Sequence, residues 1–145
     1  MIKVDVTTPD LAKSVDKMMP TAQDLVDMAD AAGFRIRKRT QGGKDVNEAE
    51  FKAYSEGYLK FKTDAGRDTS KVDLTYENHM LGSITTRRIQ DGAELYFADS
   101  ERRIIARAHH YGDGKLPKRE FFALNDKDQN YLLNILQARI NSRAS

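Results

Sequence analysis

Residues 116–128, Leu-Pro-Lys-Arg-Glu-Phe-Phe-Ala-Leu-Asn-Asp-Lys-Asp, constrain the fold more than any other part of the chain. Pro117 ends one element, because it lacks an N–H and fixes its own φ. The apolar run at residues 121–124 reads as a short buried strand. Asn125 and Asp126 follow, and side chains of both types accept the free N–H groups of a helix start. Beyond them Leu132, Leu133, Ile135, Leu136 and Ile140 recur at helical spacing. A buried strand therefore hands over to a docking helix, with cap chemistry at the junction.

The remaining pattern supplies the other layers. Ile2, Val4 and Val6 alternate with Lys3 and Asp5, which reads as a short strand or as an arm, within residues 1–8, that reaches a neighbour. Thr8-Pro9-Asp10 is a helix start, and Leu11, Val15, Met18 and Met19 lie on one face behind it. Pro20 interrupts this helix. Helical spacing resumes with Ala22, Leu25, Val26, Met28, Ala29 and Ala32, and Gly33 reads as its stop. Residues 34–39 alternate as a strand, with Phe34 and Ile36 inward and Arg35, Arg37 and Arg39 outward. Residues 48–62 read as a helix that starts at Glu48 or only at Ser55, and the segment 63–71 as a loop. Residues 77–82 form a short helix. Strands at 84–89 and 94–98 flank the turn signal Asp91-Gly92. Ser100-Glu101 opens a helix with Ile104, Ile105 and Ala108 on its apolar face, which Gly112-Asp113-Gly114 ends. This order predicts one α+β domain spanning residues 1–145: a small, mostly antiparallel sheet with helices packed on one face, and helices near both termini.

Composition narrows the function. Twenty-four basic and 22 acidic residues leave a formal charge of +2, too even a balance to argue for nucleic acid by itself. There is no cysteine, so disulfides and thiolate metal sites are excluded. No apolar run reaches membrane-spanning length and no signal peptide is evident, so a soluble cytosolic product is expected. Charged residues are 32% of the chain, which suits a thin domain with much surface, or one that completes its core against copies of itself.

Catalytic signatures are missing. His109 and His110 are adjacent, and neighbours on a helix point about 100° apart, so with His79 they read as structural or interface histidines and no metal is expected. Residues 41–45 lack the glycine offset and the hydroxyl residue of a phosphate loop. Ser55, Ser83 and Ser100 sit in no nucleophile elbow. Neither an enzyme nor a cofactor is predicted. Tyr54, Tyr58, Phe61, Tyr96, Phe97, Phe121 and Phe122 read as core. The clusters Arg35–Arg37–Lys38–Arg39, Arg87–Arg88 and Arg102–Arg103–Arg107 admit three readings: a solvated face, a subunit interface, or phosphate contacts. Arg119, just before a buried strand, is expected to need a carboxylate partner, and its loss to weaken assembly more than folding.

Four blocks in order carry a resemblance. They are Gly43-Lys44-Asp45 with Phe51, Tyr54-Ser55, Tyr58 and Lys62; Val72-Asp73-Leu74-Thr75 with Met80-Leu81 and Ser83-Ile84; His109 with Gly112; and Pro117, Arg119 and Phe121. In these the chain resembles the phage virion-morphogenesis proteins, the tail-completion or head–tail joining family, from about residue 34 to residue 140. Departures occur at Asn78 and His79, where a glycine is usual, and at Glu120, where a proline is common. The resemblance implies a structural virion protein of the neck or tail end, such as a connector or tail-terminator subunit. It would be assembled in the bacterial cytoplasm into a homo-oligomeric ring, a hexamer or dodecamer. Its partners would be the head connector and tail tube proteins, with non-specific DNA contact in the lumen and no membrane partner. Arg35, Arg37, Arg39, Lys44, Asp45, Arg87, Arg88 and Arg119 are the expected interface residues, and Leu74, Met80, Leu81, Ile84, Phe121, Phe122 and Leu124 the expected core. The alternative from the residues themselves is a small basic nucleic-acid-binding protein using the strand at residues 35–39.

Overall fold

The computed structural model describes residues 4–7, 20–67, 69–74 and 79–144. Along these the order is β1 (Val4–Thr7), α1 (Ala22–Gln41), α2 (Glu56–Asp64), α3 (His79–Gly82), β2 (Ile84–Ile89), β3 (Gly92–Phe97), α4 (Ser100–Tyr111) and α5 (Asp126–Ala144). The helix expected at Thr8 lies outside the described residues, as do Thr75 and Asn78. The fold is the expected small α+β type. Its sheet is antiparallel in the order β1-β3-β2. The hairpin pairs Ile84 with Phe97 and Ile89 with Gly92, so Gln90 and Asp91 form its two-residue turn. Gly92 opens β3 rather than completing the turn. β1 pairs with the other edge of β3, Val4 opposite Leu95, so this part of the N-terminal segment joins its own chain's sheet.

Helix α1 corrects the sequence reading. It does not stop at Gly33, and residues 34–39 are helical, not a strand. The start is a reciprocal cap: the Thr21 hydroxyl accepts from the Asp24 N–H at 3.0 Å, and the Asp24 carboxylate accepts from the Thr21 N–H at 2.8 Å. Leu25, Met28, Ala29, Ala32, Gly33, Ile36 and Thr40 then form one buried stripe at helical spacing. Gly33 belongs to that stripe because a Cβ there would lie 3.3 Å from Leu95 Cδ2. The bare Cα lets the helix lie close on β3, and a packing residue is thereby mistaken for a terminator. Phe34, expected inside, is 55% exposed.

The segment after Pro117 is a second correction. Residues 121–124 are irregular, bending at Phe122 and Ala123, and join no sheet. Phe121 and Phe122 are both buried, and their backbone is satisfied by side chains in place of a strand. The Phe122 N–H donates to His110 Nδ1 at 3.2 Å, while Arg39 Nη2 donates to the carbonyls of Phe121 and Ala123 at 3.1 and 2.6 Å. Around them Phe97 packs on Phe122 at 4.8 Å between ring centres, and His110 on Phe121 at 5.9 Å. Each buried phenylalanine contributes about 1.5–3 kcal/mol. Of the expected core, Leu74, Met80, Leu81, Ile84, Phe121 and Phe122 are buried, and Leu124 is half-buried against the same cluster.

Two helices show how caps and faces divide. α5 starts where Asn125 and Asp128 cap each other, and it buries Leu132, Leu136 and Ile140 against α1. α4 ends at Gly112 in the left-handed region, as expected. Its buried face, however, carries Ala106 and His110, whereas Ile104 and Ile105 are 66% and 40% exposed.

Candidate functional site

The charged residues singled out from sequence end in different places. Arg35 and Arg39, one helical turn apart on α1, both turn toward Asp128. Arg35 Nε lies 2.7 Å and Arg39 Nη1 2.5 Å from its two carboxylate oxygens, and the Asn125 N–H donates to it at 3.0 Å. Burial opposes ionisation of Asp128, but the Asn125 N–H and the two guanidiniums outweigh it and hold the carboxyl below the usual range. These arginines are therefore internal fasteners between α1 and α5. Arg37 is half-buried beside Gly33. Arg87 pairs with the buried Glu94 directly opposite on β3 and lies 4.4 Å from the Tyr96 ring centre, while Arg88 is exposed. Lys44 pairs with Glu50 at 3.5 Å, and Asp45 accepts from the N–H groups of Asn47 and Ala49 within its own loop.

Arg119 sits at the centre of a hub. It is 2% exposed. Among the described residues no carboxylate pairs with it: its donors go to the carbonyls of Lys52 and Ala53, both at 3.1 Å, and to His109 Nδ1 at 3.2 Å. Its guanidinium lies 5.1 Å from the Tyr54 ring centre, on which Lys62 Nζ also bears at 5.0 Å. Arg119 and Lys62 thus exploit the negative face of one aromatic ring. Lys62, only 1% exposed, reaches Asp73 at 3.5 Å. The Tyr54 hydroxyl accepts from the Leu74 N–H at 3.0 Å, which holds Leu74 at a φ of 54°.

Burial sets the protonation states here. It pushes His109 down to about 4, with the Arg119 charge acting in the same direction, so His109 is neutral at pH 7 and Nδ1 is free to accept. It pushes Tyr54 up to about 12, leaving the phenol protonated. Gly112 lets the chain return tightly enough to place Arg119: a Cβ there would lie 2.7 Å from the Lys118 nitrogen. The Arg119 N–H then donates to the His109 carbonyl at 2.8 Å.

Outside the hub lies an open groove of about 840 Å³. Tyr58, Phe61, Met80, Ile105 and Leu116 give it apolar walls, and Arg102 and Lys115 stand with Arg119 among its lining residues. Arg102 Nη2 lies 3.1 Å from His79 Nδ1. Phe61, expected in the core, is 54% exposed here. The three histidines do not converge: His79 meets Arg102, His109 meets Arg119 and His110 meets the Phe122 N–H. Among the described residues, no three histidine, cysteine or acidic side chains are grouped to hold a metal ion. No helix among them is long and apolar enough to cross a membrane.

Asp128, Lys62 and the Tyr54 ring were not anticipated from sequence. The Asn125-x-x-Asp128 spacing is itself a capping-box signal and could have identified Asp128. Nothing local marks Lys62 as buried. No family model, curated protein or solved structure matches this chain.

Proposed function

We propose that this chain is a structural subunit of a tailed-phage virion, acting at the neck or tail end, whose copies join head to tail in a closed ring. The observation that carries the reading is the convergence of the four resembling blocks on one hub. Tyr54 and Lys62 come from the first block, Leu74 from the second, His109 from the third and Arg119 from the fourth. Segments that lie far apart in sequence and share a resemblance are expected to meet when they specify one scaffold. Buried charge in this scaffold is spent on joining segments: Arg119, Lys62 and the Arg35–Asp128–Arg39 triad all have intramolecular partners.

The nucleic-acid alternative loses its premise. It required Arg35, Arg37 and Arg39 on the outer face of a strand. They are helical, and two of the three are engaged by Asp128.

Native mass spectrometry of the purified chain, alone and with its tail tube partner, tests the proposal. A closed oligomer or a defined complex is expected, and virions lacking the chain should have unjoined or unfinished tails. A monomer at every concentration, together with complete and infectious virions in its absence, overturns it.

A further inference from the structure

A cleft of about 650 Å³ opens between the C-terminal half of α1, the loop after it and the start of α5. The stretches that line it, residues 34–48 and 128–131, are described without a break. Its charge is unbalanced. Arg35, Lys38, Arg39 and Lys44 stand against Glu48 and Asp128, an excess of two positive charges. Beyond the lining, Glu50 beside Lys44 and Lys127 beside Glu48 offset one another. The donors are unbalanced too, since each guanidinium carries five N–H groups. Asp128 already accepts from Arg35 Nε, Arg39 Nη1 and the Asn125 N–H. Arg35 is held through Nε by that carboxylate and across its face by the Tyr131 ring, whose centre lies 4.6 Å away. Its two terminal nitrogens, Nη1 and Nη2, donate to no described residue. Lys38, exposed and one turn further on, makes no ion pair with a described residue; its Nζ lies 5.9 Å from the Phe34 ring centre. Arg39 Nε is the one buried side-chain nitrogen or oxygen among the described residues that has no hydrogen-bond partner.

A guanidinium fixed by its inner nitrogen and its face presents the outer two as a ready fork for an oxyanion, at little cost in side-chain freedom. An excess of two charges suits a phosphate group, which brings about two negative charges and three acceptor oxygens near neutral pH, whereas a carboxylate brings one charge and two oxygens. Phe34 and Tyr131, 55% and 41% exposed, flank these cations and offer apolar surface to the rest of an ester. We propose that the cleft binds a phosphate group through the Arg35 Nη pair and Lys38, either as the free ion or as a monoester whose organic part lies on Phe34 and Tyr131. The site does not depend on the ring reading above.

Isothermal titration of the full chain with inorganic phosphate, adenosine monophosphate and acetate, at one ionic strength, tests the assignment. Phosphate or the monophosphate should bind with a dissociation constant of about 1 mM, and acetate about tenfold more weakly or worse. Tighter binding of the monophosphate assigns the ester; equal or tighter binding of inorganic phosphate assigns the free ion. Lys38→Glu, at an exposed position, should weaken the binding about tenfold or more. Arg88→Glu makes the same charge reversal at an exposed position outside the cleft and should leave binding unchanged. Arg35→Lys keeps the charge without the fork and should weaken binding about fivefold, with its folding checked by melting. No binding of either phosphate at about 10 mM, acetate bound as well as phosphate, or equal losses in Lys38→Glu and Arg88→Glu overturns the site. A folded Arg35→Lys that binds like the parent overturns the fork. Should that variant unfold, Lys38→Glu against Arg88→Glu decides the matter.

Discussion

Arg39 and Asp128 stand 89 residues apart in sequence and 2.5 Å apart in space. The contact fixes α1 to the start of α5, and the same guanidinium donates to the carbonyls of Phe121 and Ala123. One cation therefore holds a helix, a helix cap and an irregular apolar segment together.

Asp128→Asn removes the countercharge of a buried arginine. A loss of about 3 kcal/mol is expected, since a buried charge without its partner costs several kcal/mol. Urea unfolding measures it. The double variant Arg39→Met/Asp128→Asn should be no more stable than Asp128→Asn, because removing the leftover charge also takes the donor from the carbonyls of Phe121 and Ala123.

His109 gives the fold a pH dependence with a definite sign. Its folded-state pKa is about 4, below the ordinary 6.5. The unfolded chain therefore binds more protons between those values, and stability falls as pH is lowered through that window. Below it the contribution is constant. Asp128 and Asp24, both held below the usual carboxylate range, add a further loss at more acid pH, as the pH drops through their folded pKa values. His109→Gln should reduce the slope of the stability profile between pH 6.5 and 4, the remainder coming from His110, which burial also pushes down, while leaving the more acid limb in place; chemical unfolding at stepped pH checks this.

Gly112→Ala and Gly114→Ala separate backbone strain from collision. Both glycines have φ near 70°, at 72° and 64°, where a Cβ is disfavoured. At Gly114 nothing lies within 4 Å of an added Cβ, so about 1 kcal/mol is expected. At Gly112 the Cβ would also strike the Lys118 backbone, and the loss should be clearly larger. Equal melting shifts would contradict the packing described for this turn.

Arg119→Ala should destabilise the isolated chain by about 2–4 kcal/mol, because two buried carbonyls and His109 lose their donor. Sequence reasoning placed the effect on assembly; burial transfers it to folding. Tyr54→Phe, which deletes only the acceptor for the Leu74 N–H, should cost about 1–2 kcal/mol. Thermal melting of the two variants ranks them.

Local chemistry was legible where it acts within a few residues. The stop at Gly112, the helix start at Ser55, the α5 stripe of Leu132, Leu136 and Ile140, and the hairpin all follow from caps, turns and periodicity. Misreadings arose where a distant partner decides. Gly33 looks like a terminator until β3 lies against it. Residues 121–124 look like a strand, because their sequence does not reveal that Arg39 and His110 will satisfy the backbone. Ile104 and Ile105 look buried because apolar residues usually are, yet α4 turns Ala106 and His110 inward. At the hub, each block was visible, but its partner was not: Arg119 meets carbonyls and a tyrosine ring instead of an acid.

The reach of Arg119 back to Lys52 and Ala53 bears on how a ribosome delivers this molecule. The polypeptide through Ala53 emerges with Arg39 unmated, the carbonyls of Lys52 and Ala53 still hydrated and the α5-facing side of α1 bare. The carbonyls wait for residue 119, and Arg39 for residues 121–128. These contacts are long-range and close only after both of their segments have emerged.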